Sequence, residues 1–236
     1  MQNRCFWLSM LPVYILVLGC FLLAGIGGSR AITTLSEQSP IADRKCVVID
    51  AGHGGIDSGT VSHDGEFESK INLQIALRLE AILQLLGVDT VMIRTTDTSI
   101  HTQGSTIAAQ KVSDLKNRVK IVNQTDNAIL ISIHQNHYPD SRYSGAQVFY
   151  SPIGESQTLA QELQTELVNS LNPGSNRKCK QGDGIYLLQN IEKPGVIIEC
   201  GFLSNYEESA KLQDKEYQQK ISAVIASVCS RYLHGN

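Results

Sequence analysis

The sequence predicts an α/β fold: a mixed, largely parallel six-stranded sheet flanked by helices on both faces, preceded by an N-terminal membrane segment. Three observations carry that expectation. Short apolar runs of strand length alternate with longer segments whose apolar residues recur every three or four positions, the rhythm of a sheet crossed by helices. Hydrophobic residues make up 42% of the 236 and charged residues 18%, which is enough apolar surface for one packed core. Ahead of both patterns, Phe6 to Gly27 holds no charged residue.

That first stretch, residues 1–27, reads as a signal anchor. Phe6 to Ile26 has the roughly 20-residue length that spans a bilayer as a helix, and Arg4 supplies a positive flank. Two other readings are cleavage after Ser29-Arg30-Ala31 and lipidation at Cys20. A lipid-carrying cysteine would close the apolar run, yet Phe21, Leu22 and Leu23 continue it. An anchor places the rest of the chain outside the cytoplasm. Residues 28–43 are polar and aperiodic, as a tether would be, and 44–236 form the folded domain. The formal net charge of -3 lacks the basic excess that a phosphate backbone demands, so nucleic acid is not an expected partner.

Within the domain six strands are expected at Cys46 to Ala51, Asp89 to Arg94, Ala128 to His134, Ala146 to Tyr150, Gly184 to Leu188 and Val196 to Cys200. Ile71, Ile75, Leu79, Ile82 and Leu86 give the first helix a single buried face, which Gly87 ends. Further helices are expected over Val112 to Gln124, Glu155 to Ser170 and Lys215 to Tyr232, with Thr95 to Lys111 as a long surface loop. Cys46, Cys179, Cys200 and Cys229 form no C-x-x-C pair, so cysteine ligation of a metal is not indicated. Cys46 and Cys200 sit in apolar runs as small core residues.

The chemistry gathers where strands end. Val47 to Gly55 reads as a buried strand breaking into a glycine-rich turn at His53, and open α/β sheets bind ligands at that edge. The turn matches neither phosphate-binding glycine motif. Ile129 to His134 is a second apolar strand that finishes in histidine. His137 falls an odd number of residues beyond it and would face the other way. A catalytic zinc takes three nitrogen or oxygen ligands and keeps one position open, so a carboxylate should join the pair. Glu68, at the start of the first helix, is the candidate, against the plainer role of complementing the helix dipole. Glu199, in the apolar strand Gly195 to Gly201, is either a general base or the buried partner of Arg94 or Arg118. On the residues alone a metal hydrolase and an α/β binding domain both stay open.

Four blocks in order resemble the type 3 N-acetylmuramoyl-L-alanine amidase family over roughly Lys45 to Tyr232. They are Val48 to Gly59, Glu68 to Leu73, Ser132 to Asn136, and Ile198-Glu199-Cys200-Gly201-Phe202-Leu203-Ser204-Asn205. The resemblance implies zinc held by His53, Glu68 and His134, with Glu199 as the catalytic carboxylate. It implies cleavage of the bond between N-acetylmuramic acid and L-alanine, with the peptidoglycan glycan strand and its stem peptides as partner. Ser69-Lys70 departs from the Lys-Asp common there in the family. The anchor, the single domain and the segment Ser113-Asp114-Leu115 to Arg118 are most similar to the sporulation and germination amidases. That similarity implies spore cortex as substrate, the forespore intermembrane space as location, and a cortex deacetylase completing muramic δ-lactam in the same pathway. A zinc carboxypeptidase acting on stem peptides would need a cation for a terminal carboxylate, and Arg177, Lys178 and Lys180 are available. A catalytically silent wall-binding domain is the remaining reading.

Overall fold

The structure is a computed structural model that describes residues 45–234. The expected anchor, tether and cleavage or lipidation points lie outside the described residues, as does the domain's first residue, Arg44. Among the described residues no helix is long and apolar enough to cross a membrane.

The sheet has the strands β1 (Cys46–Ala51), β2 (Asp89–Met92), β3 (Ala128–Asn136), β4 (Gln147–Tyr150), β5 (Lys180–Gln181) and β6 (Gly195–Phe202), arranged β2-β1-β3-β6-β4-β5. β1, β2, β3 and β6 are parallel; β4 runs antiparallel to β6 and parallel to β5. This is the mixed, largely parallel sheet that the alternating pattern predicts. Strands covered on both faces need apolar residues at every position. β1 and β3 comply except at Asp50, Ser132 and the polar end of β3, and their alternate apolar residues divide between two cores.

Val47, Ile49, Ile129, Ile131, Ile133, Val196 and Ile198 face the larger core, against helices α1 (Glu68–Leu85), α3 (Ser156–Leu171) and α6 (Lys215–His234). Val48, Leu130 and Ile197 face the other, with α2 (Ile107–Gln124) and α4 (Tyr186–Asn190). Along α1, Ile71, Ile75, Leu79 and Leu83 repeat at four-residue spacing and are fully buried. Gly87 ends the run in the left-handed conformation, φ 76°, that glycine adopts freely.

Four elements differ from expectation. Gly184 to Leu188 is not a strand: Leu187 and Leu188 of the short helix α4, with Ile191 just past its end, cap the second core. The sixth strand is instead Lys180–Gln181, two exposed residues on the sheet edge. α2 begins at Ile107, inside the expected loop, because the Thr106 hydroxyl accepts from the Ala109 amide and satisfies a free helix end. A further helix, α5 (Tyr206–Gln213), follows β6 and is capped in the same way by Asn205.

Candidate metal centre

Because β1, β3 and β6 are parallel neighbours, their carboxyl ends open on one edge of the sheet. Beyond β1 the Gly52 amide still donates to the Ile133 carbonyl, 3.0 Å, and then the chain turns. His53 takes φ 60°, a left-handed conformation that costs a residue with a Cβ about 1–3 kcal/mol. Glycines crowd this turn because side chains lie against it. A Cβ on Gly52 would fall 2.2 Å from the His134 ring, and one on Gly59 would fall 2.5 Å from Glu68 Oε2.

The turn carries His53 to Glu68 in the first turn of α1 and to His134 near the end of β3. Their ligand-type atoms all lie within 4.8 Å of one another, the one His/Cys/Asp/Glu cluster with metal-binding geometry among the described residues. Glu68 Oε1 is 3.3 Å from His53 Nε2 and 3.1 Å from His134 Nδ1. The imidazoles are a quarter and a fifth exposed at 25% and 21%, against 4% for the Glu68 side chain, so the cluster opens to solvent on the histidine side. The three residues singled out in the sequence are thus brought together. His137 is exposed just past β3 and takes no part.

A second layer that the sequence did not disclose orients these side chains. The Asp57 carboxylate accepts from His53 Nδ1 at 2.9 Å, leaving Nε2 to face Glu68, the arrangement by which a carboxylate fixes a metal-binding imidazole. Lys111 Nζ approaches Asp57 at 2.8 Å. Glu68 accepts from the amides of Thr60 (2.9 Å) and Gln135 (3.1 Å) and from Asn72 Nδ2 (3.2 Å). Gln135 Nε2 donates in turn to Asn72 Oδ1. Such polar residues follow no period. The only signal in the sequence is that Asn72 follows Glu68 by one helical turn and Gln135 adjoins His134.

Glu199 is the cross-strand partner of His134. Its Oε2 is buried and has no hydrogen-bond partner. Neither arginine offered as its partner reaches it: Arg118 bonds Asp50 and Asp114, and the Arg94 guanidinium ends on backbone carbonyls. Desolvation pushes the Glu199 carboxyl up, the His134 charge opposes this, and the result is about 7, in the range useful to a general base. A cation bound nearby would draw it down again.

Two neutral imidazoles and a carboxylate are the donor set that zinc prefers. Glu68 is ready for it. Burial disfavours its charged form, but the hydrogen bonds from His134 and His53 hold the carboxyl well below the usual range. His53 is not ready. Burial works against its cation, yet Asp57 and Glu68 outweigh that and raise it to about 9 in the metal-free protein. The folded protein therefore holds this proton more tightly than an unfolded chain, whose histidine titrates near 6.5. Its stabilising effect is complete below about 6.5 and fades as pH rises through about 9. A zinc ion held through His53 would have to displace the proton, and its apparent affinity would then rise roughly tenfold per pH unit between about pH 6 and 8. Competition against a chromogenic chelator measures this, and a flat profile would exclude His53 as a ligand.

The family model described as N-acetylmuramoyl-L-alanine amidase matches residues 47–230. The germination-specific N-acetylmuramoyl-L-alanine amidase of Bacillus subtilis is 36% identical over 99% of this chain and 97% of its own length. The amidase AmiA of Escherichia coli is 27% identical over 81% of this chain and 77% of its own. Among solved structures, the CwlD amidase of Clostridioides difficile, determined in complex with the GerS lipoprotein, superposes with TM-score 0.78. It is 36% identical and covers 82% of this chain and 100% of that one. AmiC2 of Nostoc punctiforme gives TM-score 0.70 at 27% identity, covering 80% of this chain and 97% of that one.

Proposed function

This chain belongs to the N-acetylmuramoyl-L-alanine amidase family, and from that premise we propose that it is a zinc-dependent enzyme of spore cortex peptidoglycan. Peptidoglycan amidase chemistry follows from the family. The metal, the residue roles and the cortex are our reading. One observation carries it: three zinc-type donors lie within 4.8 Å of one another, beside a buried carboxylate oxygen with no partner.

His53, Glu68 and His134 would hold the ion. Zinc, when bound, supplies Lewis-acid polarisation of the scissile carbonyl and makes a water acidic enough to attack near neutral pH. Glu199, on the strand next to His134, takes the proton of the attacking water and returns one to the departing alanine nitrogen. The Gly52 backbone under the His134 ring and Asp57 behind His53 keep both imidazoles directed at Glu68. The Arg177 guanidinium is committed to the Ser144 carbonyl (2.7 Å) and Gln147 Oε1 (3.2 Å) and lies over the Phe202 ring, which weakens its claim as a carboxypeptidase anchor.

The cortex assignment rests on full-length similarity to a germination-specific amidase. On this reading Phe6 to Ile26 anchors the enzyme, residues 28–43 tether its domain, it works in the forespore intermembrane space, and a deacetylase completes muramic δ-lactam on the glycan that it strips. Mass spectrometry of cortex-type and vegetative peptidoglycan, digested by the full chain with zinc or with chelator, tests this. The expected product is free stem peptide with an intact N-terminal alanine, in the zinc sample only and faster from cortex. Shortened peptides still on the glycan would instead establish a carboxypeptidase. Binding without release would establish a wall-binding module, and equal rates on the two walls would remove the cortex preference.

A further inference from the structure

Two buried arginines stand behind the His53 turn. When β1 ends, the carbonyls of Ala51, Gly52 and His53 are no longer all held by strand pairing, and each is taken by a guanidinium. Arg94 donates from Nε to Ala51 O (2.7 Å), from Nη2 to Gly52 O (2.9 Å) and Ser69 O (2.7 Å), and from Nη1 to Thr96 O (3.0 Å). Arg118 donates from Nη1 to Ala51 O (3.0 Å) and to the Asp50 carboxylate, from Nη2 to His53 O (2.7 Å), and from Nε to Asp114 (2.5 Å). Arg94 is 3% exposed and Arg118 2%.

The bonds join the three segments that carry the candidate ligands. One nitrogen of Arg94 bridges Gly52, which precedes His53, to Ser69, which follows Glu68. Arg118 grips His53 itself, and its partner Asp50 accepts from Ser132, two residues before His134, at 2.6 Å. A buried guanidinium is costly, and stability alone is often served as well by an apolar side chain. Arg94 has no carboxylate closer than Asp97, at 4.0 Å, so its buried charge is met chiefly by backbone carbonyls. A planar fork of five donors can hold several carbonyls at fixed relative positions, which an ammonium cannot.

We propose that Arg94 and Arg118 are positioning residues that lock the left-handed His53 turn against the Glu68 and His134 segments and so set the affinity of the metal centre. The proposal rests on the reading of His53, Glu68 and His134 as ligands. Neither arginine touches metal or substrate; both act through the backbone of the turn.

The test uses the full chain in mild detergent, with Arg94→Gln, Arg94→Lys, Arg118→Lys and His134→Ala. Leu163→Ala, in the α3 core, serves as a destabilised control that leaves the turn untouched. Zinc affinity is read by chelator competition, site geometry by the visible spectrum of bound cobalt(II), and stability of the metal-free protein by urea denaturation. The expected result is zinc binding weakened about 10–100-fold in each arginine variant, with an altered cobalt spectrum. Lysine should recover no more than part of the loss, and Leu163→Ala should bind within about twofold of wild type despite its lower midpoint. If Arg118→Lys does not fold, the two Arg94 variants decide. Folded arginine variants that bind zinc as wild type does, with His134→Ala deficient, would overturn the positioning role alone, as would a control that loses as much affinity as they do. Equal zinc affinity in wild type and His134→Ala would overturn the ligand reading, and the positioning role with it.

Discussion

Replacing Glu199 by glutamine is expected to lower kcat at least a hundredfold while zinc stays bound. Positioned acid–base groups contribute about 10²–10⁴-fold, and a factor of 10² corresponds to about 2.7 kcal/mol of barrier. The amide keeps the size of the carboxyl, and it removes the one carboxylate beside the cluster that has an unpartnered buried oxygen among the described residues. Glu199 lies outside the set of three clustered donors, so the metal should not leave with it. Turnover of purified muropeptide and zinc content of the same sample decide the matter together. Activity near wild type would remove Glu199 from proton transfer. Loss of zinc along with activity would make it a ligand.

The second large effect is on stability. A ligand that binds only the folded protein adds about 4 kcal/mol when its free concentration is about 1,000 times Kd. For a domain of this size that is a rise in Tm of roughly 8–16 °C. His134→Ala should abolish the rise, because the mutant keeps His53 and Glu68 but cannot complete the donor set. Thermal denaturation of wild type and mutant, each with buffered zinc and with chelator, measures it. A zinc-dependent shift of equal size in His134→Ala would place the metal elsewhere.

What the sequence disclosed was set by how locally each feature is encoded. β1, β3 and β6 are buried on both faces and so appear as nearly continuous apolar runs, and a polar residue at or near the end of such a run marks the open edge of the sheet. This is why His53, His134 and Glu199 were legible. Glu68 was legible from its place at the head of a strongly periodic helix. Gly184 to Leu188 misled because Ile185, Leu187 and Leu188 have strand-like composition, and a single helical turn is too short to show its period. Lys180–Gln181 could not be seen, since an exposed two-residue edge strand has no pattern. α5 was missed because the residues it buries include Glu208 and Ser209 as well as Leu212. Asp57 acts across the four residues of the His53 turn, and Asn72, Gln135 and the two arginines act through sets of hydrogen bonds that reach residues distant in the chain, which only the assembled sheet defines.

The order of strands has a kinetic consequence. His53 and Glu199 are separated by most of the domain, and His134 meets them only once β1, β3 and β6 have paired side by side. Contacts so distant in the chain bring no gain until the intervening loops have closed, so they are made late in folding. A metal ion held by His53, Glu68 and His134 is therefore expected to lengthen the lifetime of the folded molecule, slowing unfolding more than it speeds folding.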